Sequence, residues 1–338
     1  MKFARVFLTS IILTSIQPGF AVTLGGGGDP RPLDRSQTFD FAENPANNTA
    51  TYVATQADGK LKGIKRVAIT NMCVQFVNSK SASGNSGAGT RSYTRSAEGG
   101  IPGGLDEAKM QAVADGWLAQ IESDFRAAGI DIVPYEELTA NELFKKYSAK
   151  YDQGIRVGER SDGAYASSSK GFTSESVVYV SPKGRPFAID CGTISPVSTS
   201  TFVRMSYPMN AEFLTISAVI DMGTAKASGG LLRGARANVD FIQHLRAGDS
   251  QFQFIGKMGP GTRLWLKQSI VPQNDPFTVG TKSKGEFKGS ADDLTNTTTL
   301  TTTSAQSVAF NEDLYYRNAA DALRAMHQMF LFYMTSRR

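Results

Sequence analysis

The chain has 338 residues, 41% of them hydrophobic and 20% charged, with 33 glycines. That is enough apolar material for one large core or two small ones, on a scaffold rich in turns. The formal charge of +5 is mild and the basic residues are scattered, which argues against a nucleic-acid partner. Loose attraction to anionic lipid or polysaccharide is compatible with it and neither is diagnosed.

The first segment reads as an export signal. Lys2 and Arg5 precede an apolar run, Val6 to Ile16, which is followed by Pro18 and the small-residue end Gly19-Phe20-Ala21. The run is shorter than the roughly 20 residues of a membrane-spanning helix. The expectation is a leader over residues 1–21, cleaved after Ala21, and a mature protein in the periplasm or at the outer membrane. No cysteine near that junction offers a thiol for lipid attachment.

Residues 22–60 hold Gly25 to Gly28 and prolines at 30, 32 and 45, and read as a flexible arm. A single α/β domain is expected over 61–338, with polar excursions at about 78–104, 153–184 and 263–307. It begins at Ile64 with an apolar strand, Arg66 to Val77, covered on both faces. The Gly/Ser-rich stretch Asn78 to Gly104, which carries Arg91 and Arg95, reads as a long loop, functional or disordered.

A helix follows. Met110, Val113, Ala114, Trp117, Leu118, Ile121 and Phe125 fall on one stripe, with Asp106 and Glu107 at its start and Gly129 at its end. Ile130 to Pro134 predicts a short buried strand. A second helix is expected from about Glu136 to Lys150, with Leu138, Leu143, Phe144 and Tyr147 inward. Strand, helix, strand, helix implies a right-handed crossover in a mainly parallel sheet.

Later strands become antiparallel: Phe213 to Ile220, then Ala235 to Leu245 and Gln251 to Gly256 as a hairpin about a turn at 247–250. Leu264 to Leu266 adds a strand, Asp275 to Ser307 is polar and ends in a threonine run, and a closing helix starts near Glu312-Asp313. Its inward residues are Leu314, Ala319, Leu323, Met326, Phe330 and Tyr333. The fold class is therefore α/β, with α+β character in the C-terminal half: a mixed sheet with an early βαβα unit, a later antiparallel hairpin and a C-terminal helix.

The only two cysteines, Cys73 and Cys191, pair as a disulfide in an oxidising compartment; the alternative is two buried thiols. The only histidines, His244 and His327, lack His or Cys neighbours at ligand spacing, so no metal and no cofactor is expected. Gly84 to Gly89 has Ala88 where a serine elbow needs glycine. The acid pairs Asp106-Glu107, Glu136-Glu137 and Glu312-Asp313 suit helix N-termini better than catalysis. No phosphate loop occurs. No catalytic residue is assigned, and an enzyme is not expected; a hydrolase or carbohydrate-binding protein using Asp190 is one alternative.

The order of parts resembles the periplasmic α/β domain of curli-secretion channels, itself similar to the N-terminal domain of TolB-type proteins. The resemblance rests on Lys65 to Ile69, on Ala127 to Leu138 after the long helix, and on the later strands and closing helix. It implies a non-enzymatic export or assembly protein of the envelope, whose partners are copies of itself or other envelope proteins. It also implies rings with hairpins in a shared barrel, so an outer-membrane pore subunit is the other alternative. Here the attachment cysteine is missing and the excursions lack clean strand alternation.

Overall fold

The computed structural model of the protein describes residue 33 and residues 37–336, except 62, 89–90, 150–153, 163–171, 186, 188–190, 192–195, 230–233, 257–258, 283–285 and 293–296. The leader expected over 1–21 lies outside these residues. Its elements in chain order are α1 (Thr49–Tyr52), β1 (Val53–Gln56), β2 (Arg66–Ala88), β3 (Arg91–Gly100), α2 (Glu107–Ala127), β4 (Asp131–Ile132), α3 (Tyr135–Ala140) and α4 (Glu142–Ser148). Then come β5 (Ile155–Asp162), β6 (Phe172–Val180), α5 (Pro196–Met209), β7 (Glu212–Ser228), β8 (Arg236–Leu245), β9 (Gln251–Gly256) and β10 (Gly259–Leu266). β11 (Phe277–Lys282), β12 (Glu286–Asp292), β13 (Thr297–Phe310) and α6 (Glu312–Thr335) complete the chain.

Alternate residues of the central strands feed two different cores. Val67 and Ile69 of β2 and Leu214 of β7 join the larger one with α2 and α6. Ala68 and Phe213 join a second with Leu138, Phe144, Phe202 and Met205 of α3, α4 and α5. Because side chains alternate along a strand, the helices cover both faces and the body is three-layered. The fold is α/β with a mixed sheet and a C-terminal helix, as the residue pattern implies.

The two long helices form for the expected reasons. Asp106 caps α2 by accepting the Lys109 backbone N–H at 2.9 Å, and Gly129, at φ +71°, ends it. The full predicted stripe from Met110 to Phe125 is buried. Asn311 caps α6 through the Leu314 N–H. Ala319, Leu323, Met326 and Phe330 face inward, but Leu314 and Tyr333 are only half-buried, and Tyr315 and Tyr316 are buried instead. The α6 stripe is thus offset at both ends.

Other expectations need correction. The arm expected over 22–60 is part of the body from Phe39 onward. Phe39 bridges to Pro272 and stacks edge-on against Tyr52 at 5.2 Å. β1 pairs with β10, Val53 opposite Leu266. Enough aromatic surface lies at 39–53 to anchor a segment whose overall composition reads as a tether.

The helix expected from Glu136 to Lys150 is broken in two. Asn141 caps α4 by accepting the Leu143 and Phe144 N–H groups. Phe144 is buried, but Leu143 turns outward; the Tyr147 side chain is outside the described residues.

The sheet is mixed. β2 runs parallel to β4 and β7, giving the expected crossover through α2, yet it is antiparallel to β3 and β6. β8 and β9 do not pair with each other as a hairpin. Both pair with β7, β8 along Ile220–Ser228 and β9 along Phe213–Ser217. β7 is long enough to offer its edge twice.

Candidate interaction surface

The largest departure from the sequence reading lies in the polar excursions, which are strands. β2 does not stop at Val77 but continues to Ala88 and turns back as β3. β5 and β6 form a second hairpin at 153–184, and β12 and β13 a third, the latter containing most of the threonine run. Threonine favours a strand, whereas serine and glycine have little intrinsic strand preference. What they gain here is pairing on both sides: Ser79 to Ser83 of β2 lie between β6 and β3.

Strand directions point four of the hairpins toward one end. β5, β7 and β12 run parallel to β2, while β3, β6, β8 and β13 run the other way. The hairpins β2–β3, β5–β6, β7–β8 and β12–β13 therefore all lead into their turns at the same pole, away from α2 and α6. Six of these strands make one blade in the order β5-β6-β2-β3-β13-β12. Among the described residues β5 pairs only with β6 and β12 only with β13, so both edges of the blade are open.

The two faces differ. One carries hydroxyl ladders: Ser81 to Ser174 at 2.7 Å, Ser96 to Ser83 at 3.3 Å and Thr94 to Asn85 at 2.9 Å. A groove of about 380 Å³ runs over it, floored by Ser79, Ser81, Ser174 and Ser176 and flanked by Glu98 and Glu159. The other face lies under the β7–β8 hairpin. A Cβ at Gly84 would strike the carbonyl oxygens of Ser228 and Arg236, and one at Gly99 would meet Phe241 and Val239 at 2.7 and 2.8 Å. Glycine is what lets the backbones approach so closely.

A buried charge cluster roots the blade in the body. Asp221 of β7 accepts from Lys80 Nζ of β2 at 2.9 Å and from Arg246 Nε at 2.7 Å. Arg246 also donates to Glu175 of β6, through Nη1 at 2.9 Å, and Lys80 lies 3.3 Å from the same carboxylate. Burial alone would raise the Asp221 carboxyl, but Arg246, His244 and Lys80 together hold it well below the usual range. Glu175 is lowered in the same way, burial being outweighed by Arg246 and Lys80. The charges are satisfied by each other, so the cluster is a clamp on β2, β6, β7 and the residue after β8.

Cys73 and Cys191 form a disulfide, with Cα atoms 5.7 Å apart, packed with Phe187 in a small apolar cluster. The alternative of free thiols is thereby removed. His244 is buried beside Asp221 at 3.6 Å, its Nδ1 on the Ile242 carbonyl; burial lowers its pKa. His327 is buried between α2 and α6: it accepts the Trp117 indole N–H at 3.2 Å and donates Nε2–H to Asp124 at 2.7 Å. Both histidines are packing residues, and no group of three potential metal ligands occurs among the described residues.

Each acid pair has a structural task in its helix. Asp106 caps α2, Glu137 pairs with Arg66 at 2.9 Å, and Glu312 and Asp313 share Lys109 at 2.7 and 3.0 Å. Gly84 to Ala88 belong to β2, not to an elbow. Asp190 lies outside the described residues. Sequence reading missed Lys80, Glu175, Asp221 and Arg246; the one local signal was an aspartate ending the apolar run Phe213 to Ile220 inside a strand. No described helix is long and apolar enough to cross a membrane. No family model matches the chain, and no curated protein and no solved structure matches it.

Proposed function

We propose that the protein is an exported cell-envelope subunit that works through protein–protein contacts, with copies of itself or with other envelope components, and that the hairpin blade is its contact surface. The observation that carries this reading is the pair of open blade edges, β5 and β12, on a blade whose three hairpins point toward one pole. An open edge presents unpaired backbone donors and acceptors to a neighbouring strand. Two open edges of one blade make a head-to-tail interface, which closes into a ring when the rotation per subunit allows. Val157 on β5 is 71% exposed, an apolar residue on an open edge strand whose other residues include Arg156, Glu159 and Arg160. The leader and the disulfide fit an oxidising compartment.

A membrane-inserted pore is the lesser reading. The blade's faces carry Ser81, Ser83, Lys80 and Arg95, where strands facing lipid need apolar side chains.

Size-exclusion chromatography with light scattering on the mature protein tests the proposal. The expected result is a discrete oligomer that shifts toward monomer in Val157→Lys. A strict monomer at high concentration, with and without detergent, overturns it.

A further inference from the structure

Between the blade and the β7–β8 hairpin lies a cavity of about 810 Å³, open to solvent and lined by Arg95, Thr173, Lys226, Ser228, Arg236 and Asn238, with alanines between them. We infer that this cavity is a binding site for a phosphate ester.

The framework holds two of the three cations beside one residue. Arg95 is the cross-strand partner of Gly84, and the Arg236 backbone packs directly on that same glycine from the hairpin above. Lys226 pairs with Asn238 and Ser228 with Arg236, so all four share one face of the hairpin. Arg95, Lys226 and Arg236 are exposed. Among the described residues no carboxylate lines the cavity; the acid of β8 nearest to it in sequence is Asp240, two residues past Asn238. At the blade's root each cation lies against an acid, whereas the described residues that line the cavity include cations and no carboxylate.

Like charges gathered without a counter-ion repel, and an anion relieves that repulsion. The chemistry of the lining narrows which anion. Guanidinium groups present paired N–H donors that match phosphate oxygens two at a time, and the Thr173 and Ser228 hydroxyls and the Asn238 amide are further neutral polar groups. The volume lies in the range of small-molecule sites and is far larger than one inorganic phosphate needs. The ligand is accordingly a phosphate carried on an organic group, either a free ester or a phospholipid headgroup.

Two arms separate those sources. Glycerol 1-phosphate is titrated into the protein by calorimetry, and the protein is co-sedimented with phosphatidylglycerol or phosphatidylcholine vesicles. Binding in the first arm, or selective sedimentation with phosphatidylglycerol in the second, is expected. Arg95→Gln with Arg236→Gln should weaken it about tenfold or more, while Arg126→Gln on the exposed side of α2 leaves it intact. Lys226→Gln alone gives a smaller loss and guards against misfolding of the double variant, whose disulfide and circular dichroism are checked in parallel. Absence of binding in both arms overturns the inference. So does binding that Arg126→Gln weakens as much as the cavity substitutions, because attraction to overall charge would then explain it.

Discussion

The Lys80 ammonium lies 2.9 Å from the Asp221 carboxylate, deep inside the protein, although 141 residues separate them in sequence. Removing one partner strands the rest of the cluster. Asp221→Ala leaves the buried Lys80 and Arg246 with Glu175 and, for Arg246, the more exposed Asp249 at 3.5 Å, and a broken buried pair costs about 3–5 kcal/mol. Urea unfolding should show that loss. Asp221→Ala combined with Lys80→Met should be less destabilising than the two single changes added together; additive losses would mean the residues do not act as one unit.

Gly84 sets how closely the β7–β8 hairpin rests on the blade. In Gly84→Ala the new methyl meets two backbone carbonyls, which cannot rotate away as a side chain end could. Overpacking of this kind costs about 1–3 kcal/mol. The expected outcome is a lower melting temperature and faster amide exchange in β8, with α2 and α6 unchanged.

Acid should weaken the fold in two stages. Burial holds the pKa of His244 and of His327 below the ordinary 6.5, against the opposing pull of Asp221 and Asp124. The unfolded chain therefore takes up more protons than the folded one as pH drops past about 6.5, and stability falls with it. Asp221 and Glu175 are also held low, so their contribution is present above about pH 4 and disappears below it. Melting temperature measured from pH 8 to pH 3 should decline in both ranges. His327→Gln should flatten the upper one.

The Cys73–Cys191 bond joins β2 to the segment before α5 across a sequence separation of 118. Closing so long a loop contributes about 2–5 kcal/mol. Cys73→Ala/Cys191→Ala should lower the urea midpoint accordingly, and reduction of the wild-type protein should reproduce the shift; an unchanged midpoint in both would discard it.

Elements with their own periodicity were legible in the sequence. α2 carries a complete apolar stripe, a cap at Asp106 and a stop at Gly129, all local signals, and β2 up to Val77 is recognisable from apolar residues alone. The blade was not legible. The threonines of Thr297 to Thr303 do favour a strand, but in a polar run without apolar alternation. Ser79 to Ala88 carry no side-chain preference for strand strong enough to read, because their order comes from backbone pairing with β3 and β6. The same holds for the charge cluster, whose four members come from four places, and for the cavity, which exists only once β7–β8 has folded onto Gly84. Phe39 was hidden differently: with Phe41 and Tyr52 it anchors a stretch whose average composition is that of a linker.

The bond between Cys73 and Cys191 makes a covalent circle of the chain that runs through the rest of β2 and through β3, α2, β4, α3, α4, β5 and β6. A protease that nicks this circle once therefore releases nothing. The two fragments migrate as one band on a denaturing gel until a reductant is added, whereas a cut after Cys191 frees a piece at once.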